Sequence, residues 1–187
     1  RGYYGNEYQQ TPAYSTDGGL TWTRTNSAYF GIKSGGYIAY PTSTKFASWK
    51  TLDFWIKDTG YDTLGGAFQF VSAYSSTDNT YWNIGVDYAT DGFAITLYTD
   101  TGINQGSSKL SFNIWHHVRY SYDGTTMSLF VDGSRVATVS NSSVFGSSSH
   151  ELEFKSIDWP HKDVFIDEFL ITDDLLTSPS ATTYTVP

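Results

Sequence analysis

Two closely spaced Asp-Gly pairs constrain this chain more than any other feature. In IWHHVRYSYDGTTMSLFVDGSRVATV, residues 114–139, Asp123-Gly124 and Asp132-Gly133 each interrupt a run of alternating apolar residues. Asp-Gly accepts the positive backbone angles of tight hairpin turns, whose twist matches that of the flanking strands. Val118, Tyr120 and Tyr122 fall on one face before the first pair, and Met127, Leu129 and Val131 share a face before the second. A period of two sends successive side chains to opposite faces of a sheet. Two hairpins in series are expected.

The same period recurs along the chain. In KTLDFWIKD, residues 50–58, Leu52, Phe54 and Ile56 face one way and Asp53, Trp55 and Lys57 the other. GAFQFVSAY and YWNIGVDYA read as strands joined by the polar SSTDNT, and FAITLYT follows. YFGIKSGGYIAYP, ELEFKSI and KDVFIDEFLI complete the set. The one candidate helix is a short turn in SPSATTY, with Ser178 as its cap. About a dozen strands with no helical period and no internal repeat predict an all-β fold, a two-sheet antiparallel jelly-roll sandwich. Residues 1–27 read as an N-terminal arm and hairpin suited to attachment, and residues 28–187 as the jelly-roll domain.

Composition agrees. Aromatics make up 18% of the chain, which suits pleated, half-buried strands. The formal net charge of −8 would repel a phosphate backbone or an anionic bilayer, so nucleic acid is not an expected partner. No run of about 18 apolar residues is present, and no membrane insertion is expected. Cysteine is absent, which excludes disulfides and thiolate metal sites. Arg1 opens the chain and Met127 is its one methionine. The expectation is a processed chain or a piece of a longer protein, extracellular, on a cell or virion surface.

Three stretches resemble the signatures of laminin-G-like, concanavalin A-like domains. WHHVRYSYDGTTMSLFVDGSRVATV is similar to that family's W-H-H-V, Y-D-G and L-x-V-D-G series. VFIDEFLITDDLLTS resembles its I-D-E ending, and YFGIKSGGYIAYP followed by FASWKTLDFWIK resembles its opening. They stand in the family's order over roughly residues 28–177. The resemblance implies two curved antiparallel sheets, and a role in glycan binding, protein binding or spacing; fold alone does not choose among these. It also implies a structural Ca2+ beside the last strand, with Asp167 of FIDEF as a carboxylate ligand. The opening F-G-I-K-S-G-G lacks the Asp that F-D-G would add.

Catalytic readings fare worse. YSTDGGLTW, residues 14–22, resembles the aspartate box of sialidase propellers. A six-bladed propeller would need roughly twice this length, and the 11 Lys and Arg residues form no cluster for a sugar carboxylate. A plain hairpin is expected there. HELEFK, residues 150–155, comes nearest to the paired carboxylates of a retaining glycosidase, with Glu151 and Glu153 on one face. Lys155 stands where a third acid belongs, the central Asp is absent, and the strand's place late in the chain argues against a mid-sheet position. Charges on a solvent face are the expectation. YFGIKSGGY echoes an alginate-lyase strand without its Gln. His116 and His117 are adjacent, point to opposite faces and cannot chelate one ion. No catalytic residue is assigned, and the chain is not expected to be an enzyme.

Sugar recognition pairs an aromatic face with amides and carboxylates for the hydroxyls. SIDWPHK, residues 156–162, offers Asp158, Trp159 and His161; YSSTDNTYW, residues 74–82, offers Tyr74, Asp78, Asn79 and Tyr81. TDTGINQGSS adds Asp100, Asn104 and Gln105. An aromatic in a polar loop marks a binding site. The expected ligand-binding set is Trp159, Asp158, His161, Asp78, Asn79 and Tyr81. The reading is a non-catalytic recognition or adhesion module whose partner is a glycan or surface receptor. Weak sites would gain from avidity in a homo-oligomer or larger parent assembly. The alternative is a structural module of an appendage, capsid decoration or filament, with no soluble ligand.

Overall fold

The computed structural model describes residues 2–3, 37–43, 46, 49–60, 67–77, 79–100, 104–140, 150–155 and 164–187. Their strands are β1 (Gly2–Tyr3), β2 (Tyr37–Ser43), β3 (Thr51–Asp58), β4 (Ala67–Tyr74), β5 (Tyr81–Ala89), β6 (Gly92–Thr99), β7 (Asn104–Gly106), β8 (His116–Tyr122), β9 (Thr126–Val131), β10 (Ser134–Ser140), β11 (His150–Lys155) and β12 (Val164–Thr172). A seven-stranded sheet runs β1-β2-β11-β4-β5-β6-β7, and a five-stranded sheet runs β10-β9-β8-β3-β12. The described pairings are all antiparallel, as the alternation predicts.

The period of two fills the space between the sheets. Leu52, Phe54 and Ile56 of β3, Val118 and Tyr120 of β8, and Met127 and Leu129 of β9 are fully buried on one side. Trp82, Ile84 and Val86 of β5 and Phe93, Ile95 and Leu97 of β6 join them in one core. Phe54 meets Phe70 edge-on with centroids 5.9 Å apart, and Phe169 lies 5.6 Å from it. Burying each large side chain contributes roughly 1.5–3 kcal/mol.

The two Asp-Gly pairs build different turns. Between β9 and β10, Asp132 (φ 50°) and Gly133 (φ 81°) both take positive angles, as a type I′ hairpin requires. Asp132 also ties down the start of β8, its Oδ1 accepting the His117 N–H at 2.8 Å. Between β8 and β9, Gly124 (φ 99°) alone of the pair takes a positive angle. Asp123 works there through its side chain, with Oδ1 accepting the N–H groups of Thr126 at 2.8 Å and Thr125 at 2.9 Å. Those amides hold its carboxyl below the usual range. The short turn expected at SPSATTY is a single turn that starts at Ser178: Ala181 N–H donates to Ser178 O at 2.9 Å, and Ser180 N–H to Ser178 Oγ at 3.3 Å.

The sandwich is closed at both ends. At one, Trp49 meets Trp82 edge-on at 5.8 Å, and Trp82 Nε1–H donates to Phe46 O at 2.6 Å. At the other, Tyr88 O–H of β5 donates to Asp58 Oδ2 of β3 at 2.7 Å, a hydrogen bond that joins the two sheets. Asp58 Oδ1 accepts the Gly60 N–H at 2.6 Å. Burial pushes the Asp58 carboxyl up to about 6 despite these two donors.

The outer face of the five-stranded sheet is also covered, by residues 174–184. Arg119 carries the cover. Its Nη1–H donates to Thr177 Oγ1 at 2.8 Å, its Nε and Nη2 bind Asp53 Oδ2, and its guanidinium lies 4.1 Å from the centre of the Tyr184 ring. His117 Nε2 is 2.9 Å from Asp53 Oδ1, and its Nδ1 meets the Tyr184 hydroxyl. Ser128 Oγ–H donates to Pro179 O at 2.7 Å, and Tyr184 N–H to Gly133 O at 2.8 Å. His116 points the other way, toward Phe93, with Nδ1 2.8 Å from Asp132 Oδ2. The adjacent histidines thus serve opposite faces, as expected.

Two predictions follow from these closures. Removing one partner of a buried charge pair strands the other, so Arg119→Ala should lower the unfolding free energy in urea by about 3–5 kcal/mol. A loss under about 1 kcal/mol would show that Arg119 does not hold the segment down. For Asp58, a folded value above the unfolded 3.8 means that folding takes up a proton, so its contribution favours folding below pH 3.8 and is lost as pH rises to about 6. Asn keeps an acceptor for Gly60 and cannot ionise. Asp58→Asn should flatten that part of the stability–pH profile and raise stability at pH 7 by roughly 2–3 kcal/mol; a profile identical to that of the parent chain would contradict this.

Candidate functional site

The outward positions of four neighbouring strands line a trough of about 520 Å3 on the seven-stranded sheet. Their side chains alternate with the buried ones: Tyr81 and Asn83 of β5 flank Trp82, and Glu151 and Glu153 of β11 flank Leu152. Register sets them in ranks across the strands. One rank runs Glu151, Tyr74, Tyr81, and the next runs Glu153, Ser72, Asn83, Tyr98. In a third, Gln69 pairs with Gly85 and Gly85 with Thr96. Gly85 carries no side chain, which leaves a hollow between its neighbours.

The aromatic rank is open. Tyr74 is 44% and Tyr81 37% exposed, so both rings offer contact area to a ligand. Tyr74 O–H donates to Asn79 Oδ1 at 3.1 Å, and Asn79 itself takes a left-handed turn conformation (φ 57°). Thr80 Oγ1 lies 3.2 Å from His150 Nε2, which ties this turn to β11. Tyr98 is anchored differently. Its hydroxyl donates to Asp87 Oδ2 at 2.9 Å, and Thr96 Oγ1–H reaches the same oxygen at 2.7 Å. Burial and Asp87 raise the Tyr98 phenol above its ordinary value, so it stays a neutral donor.

The polar rank is largely buried, and its polar atoms open into the trough. Ser72 is 6% and Asn83 8% exposed, and neither side chain has a hydrogen-bond partner among the described residues. Both line the trough, where a ligand's hydroxyls would reach them. Glu151 and Glu153 supply the charge, and no Lys, Arg or His is among the described residues that line the trough.

Among the expected ligand-binding residues, the structure places Tyr81 in the trough and Asn79 at its rim, bonded to Tyr74. Asp78, Asp158, Trp159 and His161 lie outside the described residues, as do YSTDGGLTW and the side chains of Asn104 and Gln105. Asp100 is exposed, and its N–H donates to Tyr81 O at 3.2 Å. The expectation for HELEFK is corrected: β11 lies between β2 and β4, well inside the sheet. Chain order is not spatial order in a sandwich with crossovers, so a late strand carries two carboxylates into the trough. Asp167 sits at a bulge in β12, with Oδ1 accepting the Glu168 N–H at 2.9 Å. Toward a Ca2+ it brings one carboxylate already engaged with backbone, and the described residues hold no group of three His, Asp or Glu that could bind a metal ion. Gln69, Ser72, Asn83 and Tyr98 were not singled out in the sequence. Their signal is a polar or hydroxylated residue at every second position of an otherwise apolar strand.

A family model described as the concanavalin A-like lectin/glucanases superfamily matches residues 31–181. Among solved structures, the heptameric SAP-like pentraxin of Limulus polyphemus is similar with a TM-score of 0.58 and 15% identity, over 80% of this chain and 77% of that one. The CBM40 of the Ruminococcus gnavus IT-sialidase, bound to α2,3-sialyllactose, gives 0.53 and 12%, over 80% and 91%. The binding domain of Paraclostridial Mosquitocidal Protein 1 gives 0.58 and 17%, over 81% of this chain and 41% of that one. This chain therefore spans less than half of the last structure. At such identities the likeness is one of fold. No curated protein matches the sequence.

Proposed function

The chain belongs to the concanavalin A-like lectin/glucanase superfamily, and we propose that it is a non-catalytic recognition module that binds a glycan in the trough of its seven-stranded sheet. One observation carries the reading: Asn83 and Ser72 are buried, lack a partner among the described residues, and line a trough flanked by the exposed rings of Tyr74 and Tyr81. Sugars meet both demands, with C–H faces for the rings and hydroxyls for the amide. The similar fold of a domain bound to sialyllactose supports the reading. The trough is broad and shallow, so affinity per site is low, and many copies on an extracellular cell or virion surface would act together. The heptameric assembly of the pentraxin is a precedent for such multiplicity in this fold. A structural Ca2+ at Asp167 belongs to the same reading.

Glu151 and Glu153 favour a second reading, glycoside hydrolysis. Two residues along a strand, their Cα atoms stand roughly 7 Å apart, and retaining glycosidases hold their carboxyl groups about 5–5.5 Å apart. A multivalent form of the chain, tested on a broad glycan panel with Ca2+ and then with EDTA, separates these outcomes. Binding is expected, weakened at least about tenfold by Asn83→Ala or Tyr81→Ala, with circular dichroism unchanged and no new reducing ends formed. Released reducing ends that vanish in Glu153→Gln would establish hydrolysis. A blank panel would leave the structural module, and a hit insensitive to EDTA would remove the Ca2+.

A further inference from the structure

Resting on the reading of the trough as a glycan site, we infer that Tyr98 serves it as a dedicated hydrogen-bond acceptor, so that the trough demands a free sugar hydroxyl at that point and rejects one replaced or capped by a group without a proton. A phenol has one proton to donate and lone pairs with which to accept. The Tyr98 proton is spent inside the protein: its hydroxyl donates to Asp87, 2.9 Å from Oδ2 and 3.0 Å from Oδ1. An ionised carboxylate accepts only, so the direction of this bond is fixed. Thr96 Oγ1–H, two residues earlier on β6, donates to the same Oδ2 at 2.7 Å and steadies the carboxylate.

Register explains why this proton is not free to turn. Tyr98 pairs with Asn83, and Asp87 lies four residues further along β5, roughly 13 Å away. The Tyr98 side chain therefore stretches along the sheet toward the end of the trough where Gln69 stands, and its proton reaches a ligand only by leaving Asp87. A hydrogen bond to an ionised group is roughly twice as strong as a neutral one, so the bond to Asp87 is kept. Burial and Asp87 hold the phenol above its ordinary value, so the proton is not lost to solvent either. What Tyr98, half-buried and lining the trough, offers to a sugar is oxygen lone pairs. Tyr81 and Ser72 differ: neither hydroxyl has a hydrogen-bond partner among the described residues, and each can donate or accept. The demand for a donor is thus local to Tyr98, and Asp87 acts on the sugar through it as a positioning residue.

The test is a protein-observed NMR titration of the intact chain with the methyl glycosides of glucose, galactose, mannose and N-acetylglucosamine, each with its monodeoxy and monodeoxyfluoro analogues. Fluorine keeps lone pairs in place of the hydroxyl and has no proton to give. At one ring position both analogues are expected to bind about fivefold weaker than the parent glycoside, and equally so. Tyr98→Phe, which keeps the ring and removes the acceptor, should weaken the parent glycoside to the level of its analogues. In Asp87→Ala the released hydroxyl can turn, and the fluoro analogue should bind tighter than the deoxy one at that position; equal weakening of all probes would reduce Asp87 to a structural brace. A fluoro analogue that outbinds the deoxy one at every position, or a penalty that survives Tyr98→Phe, would overturn the acceptor inference and leave the glycan trough standing. If no glycoside binds, or if binding ignores Asn83→Ala, the trough reading itself fails and the inference with it.

Discussion

Arg119 and Asp53 meet on the outer side of the five-stranded sheet, both buried, with residues 174–184 closed over them. A charge pair in that position is tolerated only when close partners compensate its lost hydration. Here Arg119 reaches Asp53, Thr177 and the ring of Tyr184, while His117 bridges Asp53 and the Tyr184 hydroxyl. The polar face of β3 and β8 thus becomes a second, hydrogen-bonded layer beneath the C-terminal segment. One of the two outer faces of the sandwich is used up in this way.

The other outer face, that of the seven-stranded sheet, carries the trough. The contrast between the two is chemical. Under the C-terminal segment most buried polar groups have partners, and Ser128 reaches Pro179. In the trough, Ser72 and Asn83 are about as buried and have none among the described residues. On one outer face the polar side chains are engaged by the C-terminal segment, while those of the trough open to solvent and keep hydrogen-bonding capacity for a ligand.

Much of the fold was legible locally. The alternation in KTLDFWIKD and in residues 114–139 placed Leu52, Phe54, Val118, Tyr120, Met127 and Leu129 in the core, where the structure has them. What local pattern cannot carry is which strands become neighbours. β11 is late in the chain, yet it pairs with β2 and β4 inside the sheet, so Glu151 and Glu153 looked peripheral and are not. For the same reason nothing local shows that a distant segment buries Asp53, His117 and Arg119. The trough was half legible: Tyr74 and Tyr81 stood out as aromatics beside a polar turn, whereas Asn83 gains its meaning from Ser72 and Tyr98 across the register.

The central claim is that this outer sheet face meets the ligand, and the side-chain amide of Asn83 reports on it directly. Two-dimensional 1H–15N NMR of the labelled chain, titrated with whichever glycan binds, should shift the Asn83 side-chain NH2 pair and the backbone amides of β4, β5, β6 and β11. The Arg119 Nε–H signal should stay still. Shifts confined to the connecting loops, with Asn83 unmoved at saturation, would contradict the account and place recognition elsewhere on the molecule.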